Sequence, residues 1–90
     1  MISFRGRIED ENGRVVMDNA AGSYAGSVSP NGLVSWSGSF FLSTGSSLGL
    51  GEYRLVLNDG RSAHILVTSV QGRSSGLSIV QFKGKGPQPK

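Results

Sequence analysis

Apolar and polar residues alternate with a period of two along most of this chain, the spacing that places every second side chain on one face of a β-strand. The alternation is clearest from Leu33 to Leu42. One face of this predicted strand carries large apolar side chains, Val34, Trp36, Phe40 and Leu42. The other face carries Ser35, Ser37, Ser39 and Phe41. We therefore expect Trp36 to be buried and this serine face to meet solvent or the surface of another molecule.

A hairpin from Gly51 to Thr68 is the strongest local signal. Two apolar, β-branched-rich runs flank Asn58-Asp59-Gly60, in which glycine can adopt the positive φ that the turn needs. A three-residue loop is favoured over a two-residue loop because it gathers six apolar side chains on one face, Tyr53, Leu55, Leu57, Ala63, Ile65 and Val67. The opposite face then carries Glu52, Arg54 and His64.

A second hairpin is predicted around Ser29-Pro30-Asn31-Gly32, a sequence that suits a type I turn closed by a glycine bulge. The three-residue loop implies three cross-strand pairs, Val28 with Val34, Gly26 with Trp36, and Tyr24 with Gly38.

The first hairpin begins with a predicted strand over residues 2–9, followed by the two-residue loop signal Asn12-Gly13. That loop would set Ile8 opposite Met17 and Glu9 opposite Val16. The small residues 20–22 predict a corner before the next strand. The last strand is predicted over residues 77–82.

These elements predict an all-β fold, a small antiparallel meander of about six to seven strands that forms a closed or partly open barrel. A small β-sandwich is the alternative. Closure is favoured because it removes unpaired strand edges. Ninety residues make one domain, which we place at 1–84. Residues 85–90 are expected to form a flexible C-terminal tail, since the prolines at 87 and 89 lack the N–H donor that a sheet uses.

Composition adds exclusions. Glycine and serine make up 29 of the 90 residues, which taken alone would indicate disorder, but Leu, Ile, Val and Phe number 24, above the roughly 20% below which chains fail to collapse. There is no cysteine, so disulfides and thiolate metal sites are excluded. The chain has neither an apolar run of membrane-spanning length nor a signal-peptide pattern. We expect a cytoplasmic protein, or an excised domain, with no membrane partner.

Candidate catalytic and ligand-binding chemistry is sparse. His64 is the only histidine, and Glu52 is the one acid that the hairpin register offers it as an orienting partner. The cluster Glu9-Asp10-Glu11 lacks the spacing of a calcium loop, and no glycine-rich stretch leads into a helix that could bind phosphate. We predict no cofactor, no metal and no enzymatic activity. A hydrolase with His64 as its base is a distant third hypothesis.

Charge is distributed unevenly, with six basic and two acidic residues over 46–90. The residues proposed to bind a partner are Phe41, Arg54, Arg61, His64, Arg73, Lys83 and Lys85. The leading hypothesis is a binding or structural module that engages a protein partner or a second copy, on the serine face or by β-addition to an open edge. The alternative is nucleic-acid binding by the basic half of the chain.

Overall fold

Six β-strands form the protein in a computed structural model that describes residues 1–42, 48–72 and 77–86. The strands are β1 (Ile2–Glu9), β2 (Val15–Val28), β3 (Val34–Leu42), β4 (Gly51–Leu57), β5 (Ser62–Gly72) and β6 (Ser78–Lys85). The described residues contain no helix, so none is present there that could cross a membrane. The predicted all-β class is confirmed.

The sheet closes into a barrel with the strand order β1-β2-β3-β6-β5-β4, and all neighbouring strands are antiparallel. Two three-stranded meanders, β1-β2-β3 and β4-β5-β6, are joined along two seams. β3 pairs with β6, and β1 pairs with β4 through residues 6–9 and 54–57. Closure gives every strand two neighbours, as we expected, and the sandwich alternative is excluded.

The barrel interior is filled by apolar side chains that alternate with more exposed ones along much of β1, β3 and β5. The buried apolar residues are Phe4, Ile8, Met17, Ala20, Tyr24, Trp36, Phe40, Leu42, Leu55, Leu57, Ala63, Ile65, Val67, Val80 and Phe82. Trp36 is buried as predicted and packs edge-on against Tyr24 and Phe82, with ring centroids 5.6 and 5.9 Å away.

Two predicted hairpin registers are confirmed. Gly26 pairs with Trp36 across the β2–β3 turn, and Leu55 pairs with Ala63 across the β4–β5 turn. Each turn is a three-residue loop that ends in a glycine at positive φ, 84° at residue 32 and 93° at residue 60. That conformation is open to glycine and costly for most other residues.

The loop of the β1–β2 hairpin was predicted wrongly. Its backbone closes between Asp10 and Arg14, whose N–H and carbonyl oxygen lie 2.9 Å apart, so the loop has three residues. The Asp10 carboxylate also accepts the N–H groups of Asn12 and Arg14 at 2.9 Å, which stabilises the wider turn. Glu9 consequently pairs with residue 15 rather than 16, while the predicted pairing of Ile8 with residue 17 is correct because a bulge restores the register.

The predicted corner at residues 20–22 is also wrong, because β2 runs without interruption through them. Asn19 adopts a φ of 55° where β1 and β2 shift register, so a bulge bends the strand instead of ending it. The small residues serve packing. Ala20 is fully buried, and a Cβ at Gly22 would lie less than 3.0 Å from the carbonyl oxygen of Ser39 on β3.

Strand β6 extends to Lys85, three residues beyond its predicted end. Gly84 permits this because the Trp36 ring lies against it, and the Trp36 indole N–H donates to the carbonyl oxygen of Gly86 at 2.9 Å. Most of the predicted irregular segment after β3, the loop that holds Arg73, and the last four residues of the proposed tail lie outside the described residues.

Candidate binding surfaces

Three members of the predicted partner-binding set line up across neighbouring strands on the outside of the barrel. Arg54 on β4 pairs with His64 on β5, and His64 pairs with Lys85 on β6. Paired residues project to the same side of a sheet, and all three are exposed. We call Lys85, His64 and Arg54 the basic row. The shared exposed side of Arg54 and His64 confirms the prediction that both lie on the outer face of the β4–β5 hairpin.

Carboxylates accompany this row. The Lys85 ammonium forms an ion pair with Glu52, and the hydrogen bond and charge of Lys85 hold the pKa of that carboxyl below its ordinary value. Glu9 pairs with Arg54 at the other end of the row, so the positive charges there have acidic neighbours.

Arg61 lies apart from the row, in the β4–β5 turn. Its side chain donates to Asp59 at 2.7 Å, and its backbone N–H donates to the same carboxylate at 3.0 Å. Those contacts, the backbone hydrogen bond above all, lower the pKa of Asp59. This arginine is therefore already engaged by a carboxylate of its own turn.

A groove of about 420 Å³ lies between the β1–β2 turn and the outer face of β4, lined by residues 9–13, Glu52, Arg54 and His64. Carboxylates predominate in it, and Glu52 is engaged by Lys85 rather than by His64. Across the described ranges, no three His, Cys, Asp or Glu side chains are grouped so that they could hold a metal ion. The groove offers no assembled catalytic or metal-binding geometry.

Phe41 lies elsewhere on the barrel. It is half exposed, pairs with Ile79 on β6, and lines a groove of about 620 Å³ with Met1, Arg5 and the neighbouring serines. Lys83 pairs with Ser37 near the middle of β3 and lines an adjoining groove of about 400 Å³. The groove at Phe41 and the grooves at the basic row share no lining residue.

The serine face predicted for residues 33–42 is part of a larger surface that covers the outside of β2 and β3. From Asn19 to Gly51 the chain carries no charged residue, and this stretch includes most of β2 and all of β3. Apart from Phe41, its outward side chains are mostly small, with serine facing serine across the strands at 23 and 39 and at 27 and 35. We call the outer faces of β2 and β3 from residue 19 to 42 the charge-free surface. A long run without charge is readable from sequence, but its confinement to two adjacent strands is not.

The end of the β2–β3 hairpin projects beyond the barrel. The β1–β2 pairing ends at Tyr24, opposite Ile2, and the β3–β6 pairing begins at Ser37. Among the described residues, those from 26 to 36 pair only with one another, and we call them the arm. Its tip exposes three apolar side chains to about two thirds, Val28, Leu33 and Val34. The chain extends 41 Å along its longest axis and 22 Å along its shortest.

Fold and surfaces together define a small closed antiparallel β-barrel with an uncharged hairpin arm. The chain matches no protein-family model, and comparison with curated proteins and with solved structures found no match either.

Proposed function

We propose that the protein is a non-catalytic structural module that self-associates through the charge-free surface, including the arm. The observation that carries the proposal is that one uncharged stretch of the chain forms two adjacent strands, a surface that Arg5 and Lys83 border. All fifteen Lys, Arg, Asp and Glu residues lie outside residues 19–51, and the chain has a net charge of +3. Two copies repel each other at long range, so the contact that costs least is one that brings no charged side chains together.

Exposed apolar side chains on both faces of these two strands supply a driving force. Phe41, on the outer face of β3, is half exposed. Val28 and Val34 project from the opposite face of the arm, the one that carries Trp36, and are more exposed, as is Leu33 in the turn. Burying apolar area contributes about 25 cal/mol per Å², and small serine and alanine side chains on the outer face allow a second surface to approach closely.

Nucleic-acid binding is the second candidate, and the basic row is the observation that favours it. Three aligned basic side chains, with Lys83 one outward position from Lys85, could follow a phosphate backbone. Two observations weaken the nucleic-acid hypothesis. Lys85 is already paired with Glu52, and the groove at Phe41 shares no lining residue with the grooves at the basic row. Binding of this kind weakens steeply with added salt, whereas self-association on an uncharged surface changes little.

The test is sedimentation equilibrium of the wild-type chain and two arginine variants over a wide concentration range. Ser27→Arg adds charge to the outer face of the arm, where Ser27 is exposed. The matched control is Ser62→Arg, at an exposed serine on β5 outside the charge-free surface. In a two-fold contact each substitution occurs twice, and opposed like charges cost several kcal/mol.

We expect wild type and Ser62→Arg to form a species heavier than the 9.4 kDa chain, with Ser27→Arg at least tenfold weaker, about 1.4 kcal/mol. A wild-type protein that stays at 9.4 kDa at every concentration contradicts self-association. Equal weakening by both arginines contradicts the assignment to this surface.

A further inference from the structure

We infer that the partner at the arm is a second copy of the same chain, and that the two arms pair edge to edge through β2 to form a continuous intermolecular sheet. This inference rests on the proposed self-association and adds its geometry. The site is the edge of β2 at Gly26 and Val28, on the side that faces β1. β1 pairs with β2 only as far as Tyr24, and no other described strand lies beside residues 26 and 28 on that side.

The hydrogen-bonding direction of each arm residue follows from the ladder. The Ser29 N–H donates to the Leu33 carbonyl oxygen at 2.8 Å, so residue 29 bonds towards β3. Successive residues of an antiparallel strand bond to alternate sides, so Ala25 and Ser27 also bond towards β3. Gly26 and Val28 direct their N–H and carbonyl groups to the opposite edge, where no described residue pairs with them.

This edge has none of the usual protection against strand addition. Folded proteins guard open edges with charged side chains, prolines or bulges along the strand. The arm contains no charged residue, its one proline is at position 30 in the turn, and no register shift interrupts the pairing of β2 with β3. An unguarded pair of residues with two donors and two acceptors is a template for another strand.

A second copy satisfies the requirements that the edge sets. The incoming strand must expose backbone groups and must carry no charge to be desolvated against neutral residues. The arm of a second copy has such an edge and carries no charged residue, so it meets both requirements. A two-fold axis through paired arms also places Val28 of both copies along the shared edge, where part of their exposed apolar area is buried.

Amide hydrogen exchange, measured by NMR at dilute and concentrated protein, tests the inference directly. We expect the amides of Gly26 and Val28 to exchange fast in dilute solution and to become at least tenfold more protected at high concentration. The internal control is the amides of Ala25 and Ser27. These bond to β3 within one chain, so their protection should depend far less on concentration.

Two substitutions at one position separate the backbone from the side chain. Val28→Pro removes an outward N–H without removing a bond to β3, and we expect dimerisation at least tenfold weaker. Val28→Thr keeps the β-branched shape and the N–H, and we expect less than a threefold change. The fluorescence of Trp36, the only tryptophan, verifies that each variant retains the barrel, and the exchange measurement on wild type stands if Val28→Pro does not fold.

The outcomes distinguish this inference from the proposed function. Association without added protection at Gly26 and Val28 overturns edge pairing and leaves self-association standing. A protein that stays monomeric overturns both. Protection that appears only on adding a different protein assigns the edge to a heterologous strand and overturns the choice of a second copy.

Discussion

Replacing Gly84 by alanine tests whether the fold depends on the contact between β6 and the tryptophan ring. A Cβ at this position would lie less than 3.0 Å from Cε2, Nε1 and Cδ2 of Trp36. The backbone at Gly84 does not have positive φ, so any destabilisation comes from this overlap. Trp36 is buried, contacts Tyr24 and Phe82 edge-on, and donates to Gly86, so it cannot move without losing contacts.

The cost has three parts. Overpacking a well-filled core costs about 1–3 kcal/mol. Losing the indole hydrogen bond costs about 1 kcal/mol, and each disturbed aromatic pair about 0.5–1.5 kcal/mol. Because relaxation of the ring relieves part of the overlap while it weakens the pairs, we expect a loss of about 3 kcal/mol, a large part of the roughly 5–15 kcal/mol that stabilises a domain.

The assay is urea unfolding followed by tryptophan fluorescence, which reports on Trp36 alone. The matched control is Gly72→Ala, since a Cβ at Gly72, also in a strand, meets no atom within 4 Å. We expect the control to stay within about 0.5 kcal/mol of wild type. In thermal unfolding Gly84→Ala should melt roughly 12–24 °C lower. Equal midpoints for the two alanine variants would refute the packing of Trp36 on Gly84.

Two further predictions concern polar contacts at the surface. Tyr53→Phe removes the hydroxyl that donates to the Gly49 carbonyl oxygen at 2.9 Å; we expect a loss of about 0.5–1 kcal/mol in urea unfolding, and no change would show that this bond does not stabilise the approach to β4. The lowered pKa of Glu52 means that its ion pair with Lys85 stabilises the fold above the ordinary value of 4.5 and is lost as the pH falls below it. Thermal melts from pH 7 to pH 3 should therefore decline less steeply for Glu52→Gln than for wild type, and parallel declines would contradict the link.

Sequence patterns sufficed for the local structure where turn chemistry and apolar alternation agreed. At Asn58-Asp59-Gly60 only one loop length gathered the apolar residues on one face, and the observed register follows it. At Asn12-Gly13 the dipeptide favoured a two-residue loop, but the Asp10 carboxylate stabilises a longer turn by accepting two backbone N–H groups. That contribution depends on the turn already having formed, so the dipeptide alone does not reveal it.

Small residues were harder to interpret because they serve both turns and close packing. Ala20 and Gly22 predicted a corner, yet both lie within β2, where the barrel wall leaves no room for larger side chains. The same limit applies to Gly84, which was predicted to lie beyond the last strand but lies within β6 under Trp36. Which strand lies across from a glycine depends on the closure of the barrel, a long-range property that period-two alternation does not contain.

At the basic row, too, the local pattern was predictable from the sequence and the long-range contacts were not. The alternation of the β4–β5 hairpin correctly placed His64 and Arg54 on one outer face, and the β5–β6 register added Lys85 to them. The positive charge of the C-terminal half predicted a basic surface. Sequence order did not show that Glu52 on β4 would form an ion pair with Lys85 on β6 on the outside of the barrel. Charge counts along a chain therefore overstate how basic a sheet surface is when acids are brought beside bases by strand pairing.

The arm exists because β2 is longer than β1, and no local sequence pattern determines this difference in length. β2 has 14 residues and β1 has 8, so a closed barrel that pairs every β1 residue still leaves the far end of β2 without a neighbour. Closure was predicted on the ground that it removes edges. It gives every strand two neighbours, but among the described residues β2 beyond Tyr24 lacks a partner on the β1 side and β5 beyond Val67 lacks one on the β4 side. The β2 edge lies on a hairpin that outgrows the barrel, and there the argument for a barrel becomes an argument for a partner strand.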